Sequence, residues 1–174
     1  GADASVLRTS APLIGALGCT RNTVDNLCVQ IPRSLKRGAV LSINGLSLLD
    51  LVRAAELPHA KTEGSPSIAG AYRGLPIETA LFPSLHLLGK PDPLYSEGEN
   101  EPYILICECE EPGCWSLSVR ITIGEKIVTW SNFKQNHRGP SHPDGEWTYE
   151  KLGPFRFARS AYEKALEAPG GRAT

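Results

Sequence analysis

Residues 103–133 read YILICECEEPGCWSLSVRITIGEKIVTWSNF, and the alternation within them decides the fold. Three runs, Tyr103 to Glu110, Trp115 to Ile123 and Lys126 to Phe133, alternate at a period of two, the pattern of strands with one face on a core. Gly124-Glu125 suits a two-residue turn, which predicts an antiparallel meander with Ile123 opposite Lys126, Ile121 opposite Val128 and Val119 opposite Trp130. A loop from Glu110 to Gly113 places Cys109 opposite Cys114 and Ile106 opposite Leu117. Both registers put Ile104, Ile106, Trp115, Leu117, Val119, Ile121, Ile123, Val128 and Trp130 on the core face. The other face is smaller and more polar: Leu105, the three cysteines, Ser116, Ser118, Arg120, Thr129, Ser131 and Phe133. A slip of one residue exchanges the two sets.

Upstream, a short apolar run from Ala39 to Ile43 ends at Asn44-Gly45, a turn dipeptide, and a helix is expected to follow. Ser47 and Asp50 stand at capping positions, Leu48, Leu51, Val52 and Ala55 form its stripe, and Pro58 is expected to stop it. Lys61 to Pro102 is too long for a structureless connection and predicts one or two short strands or turns. Downstream of the meander, Trp147-Thr148-Tyr149 and Phe155-Arg156-Phe157 return aromatic rings to the core. A last helix carries Ser160 and Glu163 at capping-box spacing, Tyr162, Ala165 and Leu166 as its stripe, and Pro169-Gly170-Gly171 as its stop. The fold class is α+β, an antiparallel meander packed on two short helices. Residues 39–168 form one domain, preceded by an arm over 1–38 with at most a helical turn at Val24 to Leu27, and followed by a tail over 169–174.

Composition agrees with a single core: 174 residues, 41% apolar and 21% charged. The net charge of -1 divides into +3 over residues 1–40, -4 over 41–102 and zero thereafter, so no polybasic arm points to nucleic acid. Ala11 to Gly18 is far shorter than the roughly 20 apolar residues that cross a bilayer. Ala16-Leu17-Gly18-Cys19 is close to a lipoprotein cleavage box, but its leucine sits one place too near the cysteine. Five cysteines, an odd number in a chain able to build a core without staples, favour a reducing cytoplasm.

Two segments carry candidate chemistry. The first is Trp130, Lys134, Gln135, His137 and Arg138, where a strand end hands over to a loop rich in donors, the composition of a pocket for a small anionic molecule. The second is Cys107, Cys109 and Cys114, three thiols within eight residues. On an extended strand Cys107 and Cys109 would lie about 6.6 Å apart, awkward for two ligands of one tetrahedral metal. Zinc would need a fourth ligand such as His137 or His142, and the spacing lacks the usual two-residue gap. Burial as three small core residues is the leading expectation for the thiols. Glu108, Glu110 and Glu111 are expected to raise a thiol pKa and so disfavour a nucleophilic cysteine. Neither a phosphate-binding glycine loop nor a Gly-x-Ser-x-Gly nor a His-Glu-x-x-His motif is present.

Taken together, Cys107-x-Cys109-Glu110-Glu111-Pro112-Gly113-Cys114-Trp115, Val128-x-Trp130-x-x-Phe133-x-Gln135-x-His137-Arg138 and Leu152-Gly153-Pro154-Phe155-x-Phe157 resemble a family of uncharacterised bacterial proteins over residues 40–168. That family commonly carries glycine where Glu110 stands. The resemblance implies a bacterial cytoplasmic origin and the domain extent, and transfers no mechanism. The residues favour a non-catalytic domain that binds a small anionic molecule or a protein partner. They leave open an enzyme or redox protein built on the cysteines, with or without zinc. No cofactor, nucleic acid or membrane partner is expected, and a homodimer through the smaller sheet face or a free strand edge is a further expectation.

Overall fold

The structure, a computed structural model, describes residues 24–32 and 38–167. The tail, the Cys19 box and most of the expected arm therefore fall outside the described residues. Period-two runs within them become two antiparallel sheets: β1 (Leu27–Gln30), β2 (Val40–Ile43) and β3 (Leu46–Ser47), and β4 (Tyr72–Gly74), β5 (Tyr103–Cys107), β6 (Leu117–Ile123), β7 (Ile127–Gln135) and β8 (Phe155–Ala158). Neighbours in sequence are neighbours in each sheet, so the second sheet is a meander continued on both sides. Three helices accompany them: α1 (Leu48–Thr62), α2 (Ile77–Ala80) and α3 (Arg159–Ala165). The fold is α+β. No helix among the described residues is long and apolar enough to cross a membrane.

The arm is more than irregular. Instead of a helical turn, Asp25 bridges to Phe157 of β8 and β1 pairs with β2, so residues 25–30 join the two sheets. The Asp25 amide donates to Arg156 O at 2.6 Å, and its carboxylate accepts from the Arg156 amide at 2.7 Å. Val29 alternating with Cys28 and Gln30 suits a strand edge once a partner exists, and the partner lies outside any local window.

Both helix boundaries differ from expectation. α1 runs through Pro58 to Thr62, and Ser47 makes no side-chain cap. Burial of Leu48, Val52, Glu56 and Ala60 along one face outweighs the amide that Pro58 lacks. In α3 the cap position is Ala158, so Ser160 lies inside the helix and Glu163 pairs with Arg159 at 2.7 Å instead of closing a capping box.

The meander register differs in two informative ways. Between β6 and β7 the pairs are Ile123 with Val128 and Ile121 with Trp130, a displacement of two residues that keeps every side chain on its expected face. Farther along, Arg120 faces Ser131 while Ser118 faces Lys134, so β7 holds one extra residue. Asn132, at φ 54°, marks that bulge. Beyond it the faces exchange: Gln135 pairs with Leu117, and Phe133 is buried edge-on to Phe155 at 5.9 Å. Between β5 and β6 the slip is one residue at Leu105, which faces Leu117 where Ile106 was expected, and an irregularity between Leu105 and Tyr103 widens it to two, so that Tyr103 faces Ser118. Both Leu105 and Ile106 are buried, because chain packs on both faces of β5.

Candidate functional site

β5 ends at Cys107, where the expected strand continued to Glu110. A turn closes on the Cys107 carbonyl, which accepts the Glu110 amide at 3.0 Å, and Glu110 takes φ 72°. That is the left-handed region glycine occupies without strain. Reversal of the chain here abolishes the 6.6 Å strand spacing and the ladder pair expected of Cys109 and Cys114. Instead the sulphur atoms of Cys107, Cys109 and Cys114 lie within 4.8 Å of one another. Cys109 and Cys114 are exposed and Cys107 is half-buried, so the thiols do not fill a core.

Electrostatics inside the cluster are uneven. Desolvation, with hydrogen bonding to Cys109, pushes the Cys107 thiol up to about 11. Cys109 is held below the usual thiol range by the Cys107 thiol and by the Glu111 backbone amide. The neighbouring carboxylates, expected to dominate, are not among the causes of either shift, and one of them, Glu110, is engaged in an ion pair with Arg73 of β4. Among the described residues two buried side-chain donors lack a protein partner, Arg73 Nε and Trp115 Nε1, and both flank this loop.

The return limb of the loop is fixed from β7. Gly113, at φ 75°, presents its carbonyl to Asn136 Nδ2 at 2.6 Å and to His137 Nε2 at 3.0 Å. Asn136 Oδ1 accepts the Ser116 amide at 3.0 Å, and the Gly113 amide donates to Ser116 Oγ at 3.2 Å. The His137 ring stacks on Trp115 with centroids 6.3 Å apart. Two motifs distant in sequence are thus one assembly: the segment after Trp130 braces the cysteine loop.

The five residues expected to form an anion pocket do not converge. Trp130 is fully buried, its indole donating to Tyr162 Oη at 3.0 Å. Gln135 is buried, accepting the His137 amide at 2.6 Å. Lys134 pairs with Glu101 at 3.3 Å. Arg138 lies between the rings of Trp115 and Trp147, 4.9 and 5.4 Å from their centroids, and its Nε reaches both Glu63 oxygens at 3.1 and 3.2 Å. Burial acts on Glu63 to raise its pKa, yet Arg138 and the Trp147 indole together hold it below the usual range. A cavity of about 740 Å³ touches Lys134, Gln135 and Arg138, but Glu97, Glu101, Glu146 and Glu150 line it as well. Its unpaired charge is acidic, the reverse of an anion site.

Sequence reading also missed Glu56, fully buried on α1. Its carboxylate accepts from Tyr72 Oη at 2.6 Å, Tyr149 Oη at 2.7 Å and the Gly70 amide at 2.7 Å. Desolvation nevertheless leaves its pKa raised, and burial raises both tyrosines above their ordinary value. The i, i+4, i+8 spacing of Leu48, Val52 and Glu56 was the available signal. Asn136, Arg73 and Glu63 gave none, since their roles come from partners far along the chain. Comparison with family models, with curated proteins and with solved structures finds no match to this chain.

Proposed function

We propose that this chain binds one soft metal ion, with zinc as the reference case, through the thiolates of Cys107, Cys109 and Cys114. The observation that carries the reading is their mutual approach within 4.8 Å. A tetrahedral zinc with bonds of about 2.3 Å needs sulphur atoms about 3.8 Å apart, so small side-chain rotations suffice. Thiolate ligands select zinc, copper(I) and similar ions over magnesium or calcium. Three protein ligands on an exposed loop leave a fourth position toward solvent, the arrangement of sites that exchange a ligand. None of the three cysteines belongs to the hydrophobic core of the sheets, so the metal is expected to be dispensable for folding. A reducing compartment, which the cysteine usage favours, keeps the thiols available.

The anion reading has less support, because Lys134 and Arg138 each already hold a carboxylate. Titration of the reduced chain with Co²⁺ tests the proposal through sulphur-to-cobalt charge-transfer absorption. One equivalent is expected, with the band lost in Cys109→Ser. Titration without that band overturns the reading.

A further inference from the structure

The cysteines alone do not explain why the loop brings their sulphur atoms together. Its N-terminal limb is tied by the Arg73–Glu110 ion pair, on a residue whose backbone is in the left-handed region. On its C-terminal limb two side chains converge on one acceptor, the Gly113 carbonyl, immediately before Cys114. A carbonyl has two lone pairs, and here both are taken by side chains from consecutive residues, Asn136 and His137. A carbonyl acceptor also fixes the tautomer: His137 Nε2 carries the proton in this contact. Asn136 is oriented in turn, because its Oδ1 accepts from the Ser116 amide and from Gln135 Nε2 at 3.2 Å. The imidazole is held by its stack on Trp115, the residue after Cys114.

We infer that Asn136 and His137 are positioning residues for the thiolate site, holding the Gly113–Cys114 peptide in its ligating orientation. The inference rests on the metal reading above and deepens it, since it separates the groups that touch the ion from those that aim them. Groups of this kind act on affinity by sparing the loop the ordering it would otherwise undergo on binding. His137 therefore braces the site and is not its fourth ligand, and the open position belongs to an incoming group such as a small thiol.

The test is Zn²⁺ affinity of the full chain by competition with a chromophoric chelator, alongside Co²⁺ spectra. Asn136→Asp keeps the accepting oxygen and replaces the donor; His137→Ala removes the second donor; His137→Gln restores an amide donor. Asn136→Asp and His137→Ala are each expected to weaken affinity by roughly 10- to 100-fold with the cobalt–thiolate band shape unchanged, and His137→Gln is expected to recover most of the loss. Equal affinity across parent and variants overturns the positioning role while leaving the metal site standing. Altered ligand-field bands in His137→Ala overturn it in favour of direct ligation. A parent chain without cobalt–thiolate absorption overturns both readings. Should Asn136→Asp not fold, the exposed His137 and its two variants carry the test alone.

Discussion

Two polar clusters meet at the paired strand residues Tyr72 and Cys107, one contributed to each, and are built in opposite ways. Around Glu56 every polar atom has a partner: three donors converge on one buried carboxylate, with aromatic rings enclosing them. Around Cys107 the polar atoms gather with no counter-charge among them, and two of the three are exposed. A saturated cluster has nothing left to offer a ligand, so its value is structural. An unsaturated one, braced by neighbours that do not occupy it, is where binding can occur. The same contrast separates Arg138, clasped by Glu63 and two indoles, from the anion-binding role that its composition suggested.

The comparison can be broken at either cluster. Glu56→Ala strands two tyrosine hydroxyls and one amide in the core and should cost about 3–5 kcal/mol of unfolding free energy, read by urea denaturation. Cys107→Ser should abolish metal uptake while changing the metal-free stability by less than about 1 kcal/mol. If the two variants exchange these outcomes, the division into structural and functional clusters is wrong.

Arg138→Ala leaves the Glu63 carboxylate buried and unpaired and should cost about 3 kcal/mol; the companion change Glu63→Gln should recover part of it. A melting temperature unaffected by Arg138→Ala would restore the case for a ligand-facing arginine.

A pH profile sharpens the picture of Glu56. Its folded pKa is raised, so the folded chain holds a proton that the unfolded chain releases. That contribution to stability is fully present below the unfolded pKa and is lost as pH rises through the folded one. Relative to Glu56→Gln, the parent should therefore lose stability as pH rises above about 4.5 toward neutrality, measured as melting temperature against pH. Parallel profiles would show that the tyrosines and the Gly70 amide fully offset burial.

The smallest expected effect is at Glu110. Glycine there relieves a left-handed backbone worth roughly 1–2 kcal/mol but removes a half-exposed ion pair worth less than about 1 kcal/mol. Glu110→Gly should thus stabilise the metal-free chain by about 0.5–1 kcal/mol in thermal unfolding. Destabilisation instead would make the Arg73 contact the dominant restraint on the loop.

The amino-acid order alone determined the α+β class, the antiparallel order of β5, β6 and β7, the helix after Gly45 and the inward faces of Ile121, Val128 and Trp130. These follow from side-chain periods that survive an even-numbered shift of register. Tertiary structure alone decided the rest. The Asn132 bulge turned Phe133 and Gln135 inward, the reversal at Glu110 drew three sulphur atoms together, and Asn136 reached Gly113 across 23 residues. A period describes a chain whose neighbours repeat, whereas a bulge, a left-handed turn and a long-range hydrogen bond each depend on a partner that no local window contains.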